Sequence, residues 1–308
     1  MHNNLYNIDK LYEAVAEKGH VCVGLDTAVE YVPPSARRGA ARDADAVLAY
    51  NRALIEACGD VAACFKTQIA YYEELGLAGL EVYAKTLKFI RERGGLVIAD
   101  IKRGDIADTA LRYARAHFEG DFEADFVTLS PYMGMDSIEP WLTYAETKGK
   151  GAFVLMRTSN KGMRDFEYVR LQTGMRLYDA VGDKLSILAD RYIGRYTYGA
   201  FGAVLGCTER EEAALIREQR KNLFFLIPGY GAQGGAADDA ALLLRDGNGG
   251  VVNASRSILK AWMNCAGNAG SGLEQAASAA RDAAIMMRDA IHAAVTRTHE
   301  AAETGTAR

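Results

Sequence analysis

Eight short runs of apolar and β-branched residues recur along the chain with helix-like segments between them, and this alternation narrows the fold more than any single motif. The runs are Val21 to Asp26, Ala63 to Gln68, Leu96 to Lys102, Phe126 to Pro131, Ala152 to Thr158, Ala203 to Thr208, Phe224 to Gly229 and Gly250 to Ser255. Between them lie segments with apolar residues at helical spacing, among them Asp43 to Cys58, Leu80 to Arg93, Ile106 to Phe118 and Glu209 to Arg220. Regular alternation of this kind implies parallel strands joined by right-handed crossovers. Eight units match the count and length of a closed (β/α)8 TIM barrel, an α/β fold, whereas a doubly wound sheet more often stops at about five to seven strands.

Two segments fall outside the repeat. Lys161 to Tyr198 forms a long excursion between the fifth and sixth strands, predicted helical around Met175 to Tyr192 and lying over the barrel mouth or side. Glu274 to Val295 reads as an Ala-rich helix with apolar Ile285, Met286, Ala290 and Ile291, followed by a polar tail after Thr296 that is expected to fray. The expected division is a barrel catalytic domain over residues 1–270 and a carboxyl-terminal helix with its tail over residues 271–308.

Composition bounds the partners. With 308 residues and 49% hydrophobic content the chain can bury a substantial core. A formal net charge of −4, with no basic run long enough to track a phosphate backbone, argues against a nucleic-acid partner. Five widely spaced cysteines with no C-x-x-C pair read as reduced thiols, and Cys22, Cys64 and Cys207 fall inside strand-like runs where a thiol behaves as a small hydrophobe. No apolar stretch reaches the roughly 18 residues that span a bilayer, and Met1-His-Asn-Asn-Leu-Tyr lacks the pattern of a secretory signal. A soluble, cytoplasmic protein is the expectation.

Chemistry concentrates where strands end, because in a barrel the following loops converge on one face. The third run, Leu96-Val-Ile-Ala-Asp-Ile-Lys-Arg-Gly-Asp105, closes with Asp100, Lys102 and Asp105 in a D-x-K-x-x-D pattern. Strand side chains repeat every second residue, so Asp100 and Lys102 point the same way. Charges of alternating sign at the end of a buried strand are costly to desolvate unless they pair with each other or with a ligand. Lys102 between two carboxylates is expected to stay charged, which disfavours a Schiff base and suits protonating or stabilising a carbanion. None of His2, His20, His117, His292 and His299 falls at a strand end, so neither a histidine acid nor a histidine-bound metal is expected. The loop from Gly229 to Gly235 beside Ser255-Arg256 lies after strands seven and eight, where barrels bind phosphate, and points to a phosphorylated substrate.

These residues resemble the orotidine 5′-phosphate decarboxylase family, specifically its longer bacterial (type 2) branch, from about Val21 to Ile258. The most specific pieces are Ala99-Asp-Ile-Lys-Arg-Gly-Asp-Ile-Ala-Asp-Thr109, Pro228-Gly-Tyr-Gly-Ala-Gln-Gly-Gly235 and Val252-Asn-Ala-Ser-Arg-Ser-Ile258. The resemblance implies a cofactor-free, metal-free carboxy-lyase of pyrimidine biosynthesis that makes uridine 5′-phosphate, with Lys102 protonating the ring carbon that loses carbon dioxide. It further implies Asp100 beside the departing carboxylate, Lys66 linking the ribose hydroxyls to the charged array, and Asp26 on the ribose. Ser159 would face the pyrimidine, and Gln233 and Arg256 the phosphate. Asp105 and Thr109 would reach into the neighbouring subunit of a homodimer with shared sites. One departure is visible: Lys161-Gly162 follows Thr158-Ser-Asn160 where the family usually has Pro-Gly, which removes a φ constraint and predicts a looser loop.

Two rivals stay open at this point. A Mg²⁺-dependent decarboxylase of sugar-acid phosphates shares the D-x-K-x-x-D strand, but would want a carboxylate where Phe65-Lys-Thr-Gln68 supplies Lys66. A catalytically silent phosphate-ligand binder on the same scaffold would have no need of both lysines and both aspartates.

Overall fold

The computed structural model describes residues 6–231, 234–265 and 272–303. Eight parallel strands form a closed barrel in sequence order: β1 (Val21–Gly24), β2 (Cys64–Gln68), β3 (Val97–Arg103), β4 (Phe126–Leu129), β5 (Gly151–Arg157), β6 (Phe201–Leu205), β7 (Phe225–Ile227) and β8 (Gly250–Ala254). Closure pairs β1 with β8, so no strand keeps an unpaired edge. Each strand falls within or overlaps one of the eight runs, and β1 stops two residues short, leaving Asp26 on the loop that follows.

Helices fill the connections. The first stretch carries α1 (Asn7–Lys18), α2 (Pro34–Gly39), α3 (Asp43–Cys58), α4 (Ala70–Glu73), α5 (Gly76–Glu92), α6 (Ala107–Phe118) and α7 (Glu139–Lys148). The rest carries α8 (Met163–Phe166), α9 (Leu177–Arg191), α10 (Arg210–Gln219), α11 (Ala237–Ala241), α12 (Arg256–Leu259) and α13 (Leu273–Glu303). The excursion is partly regular: α9 packs on β5 and β6 as the crossover helix of that unit, so it covers the side of the barrel.

Alternation along the strands sorts the interior into two clusters. Cys22, Cys64, Ile98, Phe126, Phe153, Phe224 and Val251 pack with Ile8, Leu11 and Val15 of α1, which plugs one end of the barrel. Their neighbours Val21, Val23, Phe65, Val97, Ala99, Val127 and Val154 pack outward against the helices. The inward set matters for function, because the next residues of the same parity, Lys66, Asp100, Lys102 and Thr128, stand above that aromatic layer.

One expectation for the carboxyl end is corrected over residues 297–303. The polar segment after Thr296 continues the helix to Glu303 instead of fraying there, and residues 304–308 of the expected tail lie outside the described residues. Met286 is 73% exposed, and the buried stripe is Ala276, Ala280, Ala284, Met287, Ile291 and Ala294. Small alanines at helical spacing let α13 lie close against α3 and α11, and Arg281 fixes the contact by bonding to Asp60 at 2.7 Å.

Candidate active site

The open end of the barrel holds a cavity of about 480 Å³. Its floor is apolar, from Leu155, Val204 and Leu226, and its walls carry the charged strand ends. At the centre Asp100, at 9% side-chain exposure, accepts four hydrogen bonds, which fills the acceptor capacity of a carboxylate. Its Oδ1 takes Lys102 Nζ at 2.6 Å and Thr128 Oγ1 at 2.8 Å, and its Oδ2 takes Lys66 Nζ at 2.9 Å and Gln68 Nε2 at 3.1 Å.

Lys66 is shared. Its ammonium also donates to Asp26 Oδ1 at 3.2 Å, and the other oxygen of Asp26 accepts from Ser255 Oγ at 2.8 Å. One chain of charge and hydrogen bonds therefore runs from the loop after β8, through β1 and β2, to the end of β3. Burial alone would raise the pKa of Asp100, but the facing Lys66 and Lys102 ammoniums outweigh it and hold the carboxyl well below its usual range. Burial likewise opposes the charge on Lys66, and the Asp100 and Asp26 carboxylates outweigh it, raising its pKa above the ordinary lysine value. Lys102 differs in access: 47% of its side chain is exposed to the cavity and solvent, against 6% for Lys66. Both lysines line the cavity, Lys66 as the more buried cation and Lys102 as the more open one.

The backbone at Lys102 is unusual. Its φ of 44° lies in the left-handed region, which for a non-glycine residue costs of order 1–3 kcal/mol and persists only where surroundings enforce it. The enforcement is local: pairing slips between β3 and β4, so that Ala99 faces Val127 and Arg103 already faces Leu129.

The glycine-rich loop after β7 and the start of α12 meet on one side of the cavity. Pro228, Gly229 and Tyr230 line the cavity next to Arg256, which opens α12 and makes no ion pair among the described residues. Gly229 and Gly231 have φ of 101° and 67°, which only glycine adopts freely, so the loop bends tightly here. Gln233 lies outside the described residues. Ser159 also lines the cavity, and Gly206 is required beneath it because a Cβ there would come within 2.9 Å of Ser159 Cα. The loop expected to be loosened by Lys161-Gly162 has a tether: Glu167 accepts from the Thr158 N–H and hydroxyl, both at 2.8 Å.

Asp105 and Thr109 are not brought to this cavity. Asp105 Oδ1 accepts from the Ile106 N–H at 2.9 Å, and Thr109 is exposed in the first turn of α6. Arg157, a polar strand end, is also no part of the wall. It is fully buried, donates to the Gly206 carbonyl at 2.7 Å and meets Glu212, which also accepts from Tyr168 and Tyr178 of the excursion. Sequence reasoning passed over Thr128 and Gln68 as partners of Asp100. Gln68 carried a signal, since it shares the inward parity of Lys66, while Thr128 looks like any β-branched strand residue.

Residues 19–266 match the Orotidine 5′-phosphate decarboxylase / HUMPS family. The chain belongs to this family. It is 53% identical over 287 residues to an orotidine 5′-phosphate decarboxylase of Clostridium perfringens (strain SM101 / Type A), covering 93% of this chain and 98% of that relative. A second relative of the same name, from Clostridium kluyveri, is 52% identical and covers 92% of this chain and 96% of its own length. Among solved structures, the OMP decarboxylase of Leishmania donovani superposes with a TM-score of 0.74 at 31% identity, covering 95% of this chain and all of that one. Family membership thus agrees with the barrel and with the resemblance carried by the β3, β7 and β8 segments.

Proposed function

We propose that this protein decarboxylates orotidine 5′-phosphate to uridine 5′-phosphate, without a metal or an organic cofactor, as a carboxy-lyase of pyrimidine biosynthesis. The observation that carries the reading is the array Asp26, Lys66, Asp100 and Lys102 at the mouth of a barrel from this family, in which one aspartate holds an ammonium on each oxygen. In the proposed reaction the bond from the pyrimidine ring to its carboxylate breaks, carbon dioxide leaves, and the electron pair stays on the ring carbon. Lys102 Nζ donates a proton to that carbon and later recovers one from solvent. Asp100 lies beside the departing carboxylate and keeps Lys102 in place. Asp26 and Lys66 meet the ribose, Ser159 the pyrimidine, and Gln233 and Arg256 the phosphate.

The geometry weighs against the Mg²⁺-dependent alternative. The gap between Asp26 and Asp100, where two carboxylates could take a divalent cation, is filled by Lys66 Nζ within 3.2 Å of both. Among the described residues no cluster of three His, Cys, Asp or Glu is arranged to hold a metal.

A homodimer with shared sites belongs to the same proposal. Asp105 and Thr109 lie off their own chain's cavity, and the loops after β3 and β4, which touch through Gly104 and Ser130, expose Ile106, Tyr132 and Met133. Apolar side chains on adjacent loops suit an isologous contact that would carry Asp105 across. No described helix is long and apolar enough to cross a membrane, and a cytoplasmic location is proposed. The test is turnover of orotidine 5′-phosphate in excess EDTA. Undiminished release of uridine 5′-phosphate supports the reading, and turnover that requires added Mg²⁺, or none on this substrate, refutes it.

A further inference from the structure

Thr128, near the end of β4, is buried at 1% exposure and reaches the wall of the cavity, yet its hydroxyl is fully engaged within the protein. It accepts the backbone N–H of Ile101 at 3.0 Å and that of Lys102 at 2.9 Å, and donates to Asp100 Oδ1 at 2.8 Å. A hydroxyl has one proton and two lone pairs, so these three bonds exhaust it. It has no capacity left for a substrate.

The three bonds fall where the β3–β4 ladder fails. Between the pairs Ala99 with Val127 and Arg103 with Leu129, β3 spends four residue steps against two on β4. Ile101 and Lys102 fall inside this slip, and the N–H groups of both donate to the one acceptor Thr128 Oγ1. The same slip carries Lys102 into the left-handed region at φ 44°. A single hydroxyl thus sets the backbone of the lysine and the rotation of the carboxylate that holds its ammonium.

We propose that Thr128 is a positioning residue for decarboxylation, acting through Lys102 and Asp100 and making no contact with substrate. This rests on the decarboxylase reading above. Valine matches threonine in shape but offers neither acceptor nor donor, leaving two buried N–H groups and one Asp100 lone pair unmet, so the lysine loses its fixed geometry. Misplacement of a reacting group by about 1 Å can lower turnover on the order of 100-fold.

The test compares wild type, Thr128→Val, Thr128→Ser and Thr128→Ala. Expected for the valine variant is a kcat lower by about 100-fold, with KM for orotidine 5′-phosphate and affinity for uridine 5′-phosphate little changed. Serine, which keeps the hydroxyl, is expected to restore most of kcat. Thr128→Ala gives the same comparison without added bulk should the valine variant not fold. A hydroxyl-free variant with wild-type kcat, a serine variant as slow as the valine one, or a kcat loss matched by lost product affinity would each overturn the assignment. A wild-type protein inactive on this substrate refutes the decarboxylase reading instead. The geometric claim is then read from a crystal structure of Thr128→Val, where Lys102 is expected to leave φ near 44° or its contact with Asp100, and an unchanged backbone and ion pair overturn it.

Discussion

Lys66 Nζ sits 2.9 Å from Asp100 Oδ2 with both side chains almost fully buried, and this pair anchors the site. Removing one member of such a pair leaves an uncompensated buried charge, worth about 3–5 kcal/mol. Lys66→Met is therefore expected to lower stability by up to about that amount and to abolish turnover, since Asp26 and Asp100 would then face each other with no cation between them and only Lys102 left on Asp100. Chemical denaturation checks the first part, and product formation the second.

The same pair dictates a pH dependence. The Asp100 pKa is depressed in the folded protein, so its contribution is present above the unfolded carboxylate value near 3.8 and is lost as pH falls through the folded one. The Lys66 pKa is raised, so its contribution is full below the unfolded value near 10.5 and is lost only as pH climbs towards the folded one. The array should stabilise the fold across the range between those limits. Thermal unfolding of Lys66→Met against wild type is expected to show the largest gap in Tm between about pH 5 and 9, narrowing below pH 4. A gap that widens in acid would contradict the assignment.

Arg256 opens α12 at the cavity rim and is expected to clamp the phosphate. Arg256→Ala should weaken binding of the whole nucleotide and slow turnover, because binding energy from a remote group can drive closure at the reacting centre. If the glycine-rich loop after β7 closes in response, phosphite added to a substrate lacking its phosphate should partly restore the rate. Absence of any activation would argue against closure.

Much of this architecture was legible in the residues alone. The β-branched runs located all eight strands, and period-two alternation put Asp100 and Lys102 on one face. Long-range register was not legible. Thr128 in Phe-Val-Thr-Leu carries no local mark of its role, which arises only because β3 and β4 slip against each other. Which side of the alanine-rich helix faces inward was not legible either, because it depends on the neighbours α3 and α11, which leave Met286 exposed. The helix also runs past Thr296, because continuing backbone bonds outweigh the weak propensities of a polar segment.

The shared site is testable by complementation. If Asp105 serves the partner's cavity, mixing inactive Lys102→Ala chains with inactive Asp105→Ala chains gives heterodimers in which one site carries both defects and the other neither. Random exchange makes half the dimers mixed, so activity should return to roughly a quarter of wild type by symmetry counting. Chains that exchange and recover nothing would mean that Asp105 acts within its own subunit.

The central claim is that the Lys102 ammonium, held at 2.6 Å from Asp100, protonates the ring carbon after carbon dioxide leaves. The direct measurement is uridine 5′-phosphate formation by Lys102→Ala beside wild type, with product binding measured on the same samples. The account predicts that turnover disappears while binding persists, because the proton is needed only after the nucleotide is bound. A Lys102→Ala protein that still decarboxylates at near wild-type rate would contradict it.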